Sequence, residues 1–135
     1  MALLDLSHEL NKNTPVYPGD PKMKIESAGI FSQDGFTDST LTFGTHLGTH
    51  IDAPAHMIDG GKTLDQYRLE RFRGTALVWD MQKDIPDLTG VEAVFFFTGM
   101  SENYHDESYR QEYPVLSQKI IQNLIEHNIT LVGVD

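Results

Sequence analysis

Apolar positions along this chain fall in short runs separated by glycine, proline, asparagine and aspartate, and a single stretch carries a helical repeat. Leu3 to Leu6 alternate poorly but suffice for a short first strand, with Ser7-His8 opening the turn behind it. Asn11 to Pro21 holds three prolines together with Asn and Gly-Asp, which reads as an extended loop. Lys22 to Phe31 and Ser39 to Phe43 are strand-like on either side of the turn Gln33-Asp34-Gly35-Phe36. Asp59-Gly60-Gly61-Lys62 is a further turn, followed by a polar segment, Thr63 to Phe72, anchored by Leu64, Tyr67 and Leu69.

Thr75 to Trp79 predicts a buried strand, and Asp80 to Asp87 a solvated loop. Val91 to Thr98 is the most apolar run, and its β-branched and aromatic content predicts a central strand. Ser101 to Glu112 mixes acidic and aromatic residues, as an exposed loop or lid does. Ser117 to His127 predicts the helix: Ser117 caps it, Ile120, Ile121, Leu124 and Ile125 form one apolar stripe, and His127 suits the carboxyl end of the dipole. Ile129 to Val134 then reads as a buried strand, the αβ order of a mixed sheet. Such a strand needs cover, from further chain or from dimerisation or strand exchange.

Composition narrows the class without naming the chemistry. At 135 residues, with 39% hydrophobic and 10% aromatic residues, the chain is expected to be one soluble domain, 1–135. It has no apolar run long enough for a membrane helix, and Met1 to Asp5 lacks the basic start of a secretory signal. The absence of cysteine suits the cytoplasm. A net charge of −10 argues against nucleic acid and anionic membrane as partners, since both reward clustered Lys and Arg.

The chemistry concentrates in Gly44-Thr45-His46-Leu47-Gly48-Thr49-His50-Ile51-Asp52-Ala53-Pro54-Ala55-His56, which holds three of the six histidines. A helix is disfavoured there by Gly44, Gly48, the threonines and Pro54. On a helix Asp52 would also point roughly 120° away from the face that His46 and His50 share. Positions 46, 50, 52 and 56 share one face of a strand, but at about 3.3 Å per residue a straight strand holds His46 and His50 roughly 13 Å apart. Ligand atoms of one ion sit about 2 Å from it. The segment is therefore expected to be a folded-back loop leaving a strand, with Gly48 taking any φ > 0 the bend needs.

Two imidazoles and a carboxylate suit zinc, manganese or iron better than calcium, and three protein ligands leave positions open for water, as catalytic sites do. His56 is a further ligand or a nearby acid/base. The competing reading is plain loop chemistry, since Gly-Thr repeats also occur in ordinary turns. Thr98-Gly99, at the end of its strand, is a candidate border of the active site.

This stretch resembles the His-x-Gly-Thr-His-x-Asp-x-Pro-x-His signature of the cyclase family of metal-dependent hydrolases, which includes the bacterial kynurenine formamidases, or arylformamidases. Thr14 to Pro21 (Thr-Pro-Val-Tyr-Pro-Gly-Asp-Pro) is similar to the family's amino-terminal Pro-Val-Trp-Pro-Gly-Asp segment, and Leu131 to Asp135 to its Val-Gly-Ile-Asp strand. The resemblance implies an α/β fold, the swivelling β/β/α domain, with a mixed sheet and few helices. It implies metal ligation by His46, His50 and Asp52, with zinc the first expectation and manganese the second. His56 falls on the proton donor and acceptor, and Tyr17 on an aromatic, usually tryptophan, that contacts substrate.

The activity implied is hydrolysis of an amide or related carbonyl bond in a small molecule, foremost N-formylkynurenine to kynurenine and formate in tryptophan catabolism. A homo-oligomer, a dimer or higher, is the expected assembly. The alternatives are a lactone or lactam hydrolase or cyclase of the same family, and an inactive remnant or a subunit of a split enzyme. The last arises because family members run further, and their extra segment supplies a later histidine and glutamate that complete a two-metal site. By that comparison the chain is expected to be a carboxyl-terminally truncated form.

Overall fold

The computed structural model describes residues 3–111 and 113–135; Met1 and Ala2 of the amino-terminal reading, and Glu112 of the expected lid, lie outside the described residues. The backbone divides into two compact units, Met1–Asp52 and Ala53–Asp135.

The first unit is built on an antiparallel hairpin. Strand β1 (Lys24–Gly29) pairs with β2 (Asp38–Thr42), in the register Ile25 opposite Leu41 and Glu26 opposite Thr40. The predicted turn between them contains one helical turn, α1 (Phe31–Asp34), which Gly35 ends at φ +77° by donating its N–H to the Phe31 carbonyl. The expected strand at Leu3 to Leu6 does not form, and its leucines are exposed. Poor alternation gives that stretch no single apolar face to bury, so no pairing is favoured over water. The chain is caught just beyond, where the His8 N–H donates to Thr49 Oγ1 at 3.0 Å.

The second unit carries a parallel three-stranded sheet in the order β3 (Ala76–Asp80), β4 (Ala93–Phe97), β5 (Leu131–Val134). Parallel and antiparallel pairing therefore both occur, in separate sheets, with few helices. The apolar run at 91–98 is central as expected. Helix α2 (Gln118–Glu126) crosses from β4 to β5, and its Leu124 packs with Trp79, Leu88, Val94 and Phe96 as the core. Ser117 caps α2 by accepting the Ile120 N–H at 3.3 Å. The helix ends in a Schellman arrangement: Ile129 N–H donates to Leu124 and Asn128 N–H to Ile125, with Asn128 at φ +56°. His127 Nδ1 meets the Asn123 carbonyl at 2.9 Å, a helix-terminal role as expected.

Three expectations are corrected in this unit. Only half of the apolar stripe on α2 faces the core: Ile120 and Leu124 pack there, whereas Ile121 and Ile125, one residue or about 100° further round, are exposed. And β5 is a half-buried edge strand, with Val132 43% and Val134 69% exposed. Gly133 between them leaves room for the Phe95 ring, which occupies the space a β-carbon would fill. Of the anchors expected in 63–72, Tyr67 alone is half-buried, its ring 6.5 Å from Phe72, while Leu64 and Leu69 lie at the surface.

Side chains clasp both ends of the sheet. At one end Glu92 accepts the Thr75 N–H on its carboxylate (2.8 Å) and the Thr130 N–H on its carbonyl (2.8 Å). At the other, the Asp135 carboxylate accepts from Thr98 N–H at 2.7 Å, from the Thr98 hydroxyl, from Gly99 N–H at 3.0 Å and from the Ser101 hydroxyl at 3.1 Å. Thr98-Gly99 thus holds a carboxylate of its own sheet. Burial disfavours the ionised Asp135, but these donors together outweigh burial and hold the carboxyl below its usual range. Beside it, Tyr109 donates its hydroxyl to the Asp135 carbonyl at 3.2 Å; burial and then the Asp135 charge push that phenol up.

A carboxyl whose folded pKa is depressed contributes stability above its unfolded value, 3.8, and loses it as pH falls through the folded value. Asp135→Asn is therefore expected to lower stability at pH 7 by on the order of 1–2 kcal/mol, discounted for partial exposure. Urea unfolding of both proteins from pH 7 down to pH values well under the ordinary carboxylate range checks this. The gap between them should close at the acid end.

Candidate metal centre

Two residues after β2 ends, the chain leaves the sheet at Gly44 and turns back on itself. The reversal is centred on Gly48, whose φ of +64° lies in the region that side chains with a β-carbon avoid. The turn is also close-packed: a β-carbon there would stand 2.6 Å from Leu10 Cδ2, and that side chain would have to move aside. Leu47 beside it is buried. Thr14 is buried too: its hydroxyl accepts the Asn11 N–H at 2.9 Å and donates to the Glu9 carbonyl at 3.3 Å, fixing the segment on which the loop rests. Residues Leu10, Thr14 and Thr49 thus brace the loop. These contacts are not legible locally, since they span more than thirty positions in each case.

The reversal does what the spacing required. His46 Nδ1 lies 2.7 Å from Asp52 Oδ1 and 3.1 Å from His50 Nε2, and His50 Nε2 lies 3.3 Å from Asp52 Oδ1. Metal–ligand bonds of about 2.0–2.1 Å place neighbouring ligand atoms about 2.9 Å apart at right angles and about 3.4 Å apart at the tetrahedral angle. All three edges of the triangle fall near that span, so the donor set fits a divalent cation. Among the described residues this is the one group of three such side chains able to hold a metal ion.

The orientation of His50 agrees. Its Nδ1 is 2.8 Å from the Gly48 carbonyl, which can only accept, so Nδ1 carries the hydrogen and Nε2 turns a lone pair into the triangle. The residue that bends the loop thereby also selects the tautomer. The two imidazoles meet edge to face, with centroids 5.0 Å apart. Asp52 keeps about half of its side chain exposed, 53%, which leaves the open side of the triangle to water or substrate.

The other two predicted residues stand on separate features. Tyr17 opens the turn Tyr17-Pro18-Gly19-Asp20, closed by Asp20 N–H to the Tyr17 carbonyl at 3.0 Å, with Gly19 at φ +100° as a type II turn demands. Tyr17 is 66% exposed and does not belong to the core. His56 belongs to the second unit, where it is exposed at the end of a 3₁₀ turn, Pro54–His56. Pro54 sets the first position of that turn and keeps Ala53 extended, at φ −93° and ψ 157°. The Tyr104-His105-Asp106 stretch forms an aromatic cluster, with Tyr104 buried 5.1 Å from the His105 ring and 5.3 Å from Tyr109.

A strand-to-loop histidine pair with a following aspartate, in one chain with a parallel sheet and its single crossover helix, defines a class. Residues 4–135 match the Cyclase family model, and the chain belongs to that family. It is 30% identical to a kynurenine formamidase of Salinibacter ruber over 147 residues, covering 100% of this chain and 69% of that protein. It is 31% identical to a kynurenine formamidase of Bacillus cereus over 142 residues, covering 98% of this chain and 67% of that one. In fold it is similar to an isatin hydrolase solved with the product analogue thioisatinate, with a TM-score of 0.75 at 21% identity. That match covers 97% of this chain and 65% of the hydrolase. The chain thus spans about two thirds of the length of the relatives it matches.

Gly48→Ala is expected to lower unfolding free energy by roughly 1–2 kcal/mol, from the φ > 0 backbone and the clash with Leu10. It should also weaken binding of a titrated divalent cation. Adding Leu10→Ala removes the clash but not the backbone strain, so cation binding should recover in part; calorimetric titration of the three proteins reads both effects.

Proposed function

We propose that this protein is a metal-dependent amide hydrolase acting on an N-formyl arylamine, N-formylkynurenine foremost, with kynurenine and formate as products. The observation that carries the reading is the triangle of His46 Nδ1, His50 Nε2 and Asp52 Oδ1, on an exposed loop of a family whose matched relatives include kynurenine formamidases.

In this reading His46, His50 and Asp52 hold a divalent cation, zinc in the first instance and manganese in the second. When bound, such a cation polarises a carbonyl and acidifies water, the two requirements of amide hydrolysis near neutral pH. Asp52 supplies negative charge to the site, and the Gly48 carbonyl keeps the His50 ring aimed through its Nδ1–H. His56 takes the proton that attacking water must lose and delivers it to the leaving amine nitrogen, a task that suits an imidazole. Tyr17, exposed on its turn, offers an aromatic face and a hydroxyl to an aryl substrate. Among the described residues no helix is long and apolar enough to cross a membrane. A cysteine-free chain with a small polar substrate fits a cytoplasmic setting.

His46→Ala and Asp52→Ala are each expected to remove bound metal in elemental analysis of the purified protein, and full stoichiometry in either would exclude that residue as a ligand. His56→Ala should keep the metal and lose rate by about 10²–10⁴-fold. Turnover of N-formylkynurenine measured beside isatin decides the substrate class: preference for isatin would replace the formamidase reading with a lactam hydrolase.

A further inference from the structure

The turn that carries His56 is closed from behind by a loop to which no role has been given. Within the second unit the chain runs from Ala53 through Pro54–His56, makes the turn Asp59-Gly60-Gly61-Lys62, and returns. The Ala55 N–H donates to the Lys62 carbonyl at 3.1 Å. The Pro54 carbonyl accepts from Met57 N–H at 3.1 Å and from Ile58 N–H at 2.8 Å, and the Ile58 carbonyl accepts from Gly61 N–H at 2.9 Å. Gly60, at φ +68°, reverses the chain in open space. Gly61 is different. It sits so close to the turn that a β-carbon would lie 2.7 Å from the Pro54 carbonyl carbon, 2.8 Å from the Pro54 oxygen and 2.8 Å from the Ala55 nitrogen.

Those three atoms are backbone, and they are the peptide joining the first two residues of the turn that ends at His56. A flexible side chain could swing away from an added methyl group, but a peptide unit inside the hydrogen-bonded ring 53–62 moves only by displacing its neighbours along the chain. The next residue after that peptide is His56. From this close approach we propose that Gly61 is a positioning residue for His56: its missing side chain lets the returning loop seat the Pro54–Ala55 peptide, and so sets where the His56 ring stands. The assignment rests on the role given to His56 under the hydrolase reading, but the geometry it invokes lies wholly within the Ala53–Lys62 ring.

The consequence is a separation of functions within one stretch of chain. His46, His50 and Asp52 are set by the bend at Gly48, and His56 by the return at Gly61. An added methyl at 61 should therefore damage proton transfer without removing a ligand. A displacement on the order of 1 Å at a reacting group lowers rate by about 10²-fold.

The test compares Gly61→Ala with Gly90→Ala in the full chain loaded with zinc. Gly90 has φ +74° and nothing within reach of an added β-carbon, so alanine there strains the backbone of its own turn and meets no neighbour. Gly61→Ala is expected to lower kcat at least about 10-fold with KM within about twofold, keep the wild-type zinc content, and shift the His56 ring resonances in ¹H–¹⁵N spectra. Those of His46 and His50 should stay in place, and Gly90→Ala should leave all three rings and kcat unchanged. His56 resonances that superimpose on wild type in Gly61→Ala, or zinc lost together with rate, would overturn the proposal.

If Gly61→Ala does not fold, hydrogen exchange of the unaltered protein decides. Protected amides at Ala55 and Ile58 support the closed ring, and unprotected ones sink it. A wild-type chain that turns over no formyl substrate counts against the hydrolase reading alone, because the ring spectra and amide exchange still report on Gly61.

Discussion

Convergence is the constraint on which this structure depends: three side chains spread over seven positions must bring one atom each to within hydrogen-bonding distance of the others. No regular element does this with the spacing at hand. A straight strand separates the first two by roughly 13 Å, and a helix turns the third aside. The chain meets the requirement by leaving β2 and reversing at a left-handed glycine, which leaves His46, His50 and Asp52 around a common point. Within the reversal Leu47 turns inward, and Leu10 packs against the glycine. Loop, brace and donor set are one unit of construction, held by the amino-terminal half alone.

The carboxyl-terminal half answers a different demand. A three-stranded parallel sheet with one crossover helix is small, and its core of Trp79, Leu88, Val94, Phe96 and Leu124 covers one side. Glu92 and Asp135 compensate at the strand ends, where unpaired backbone N–H groups would otherwise face water or each other. Each carboxylate ties neighbouring segments of the sheet. Among the described acidic residues Asp52 is the one grouped with two imidazoles, and Asp135 accepts from Thr98, Gly99 and Ser101 together.

How much of the structure is legible in the residues depends on the range of the interactions involved. The bend at Gly48 was legible because arithmetic on four positions excludes both helix and strand. The cap at Ser117, the turn at Gly35 and the central place of 91–98 were legible because each is written in adjacent residues. The failures are non-local. Whether Leu3 to Leu6 find a partner strand, and whether β5 lies inside the sheet or at its edge, depends on pairings far along the chain. The clasp on Asp135 joins residues 34 to 37 positions apart, so the sequence around Thr98-Gly99 does not reveal the carboxylate those residues hold. For His56 the motif supplied the residue, while the glycine behind it is visible only once the chain has closed.

The packing of Leu10 against Gly48 has a thermodynamic corollary. Because Leu10 packs against Gly48 and the Thr49 hydroxyl accepts the His8 N–H, the segment before β1 and the loop after β2 constrain one another. Each narrows the ensemble the other must select from, by the same factor in both directions. An outwardly idle stretch, with its exposed leucines, thus bears on the shape of a loop more than thirty residues away.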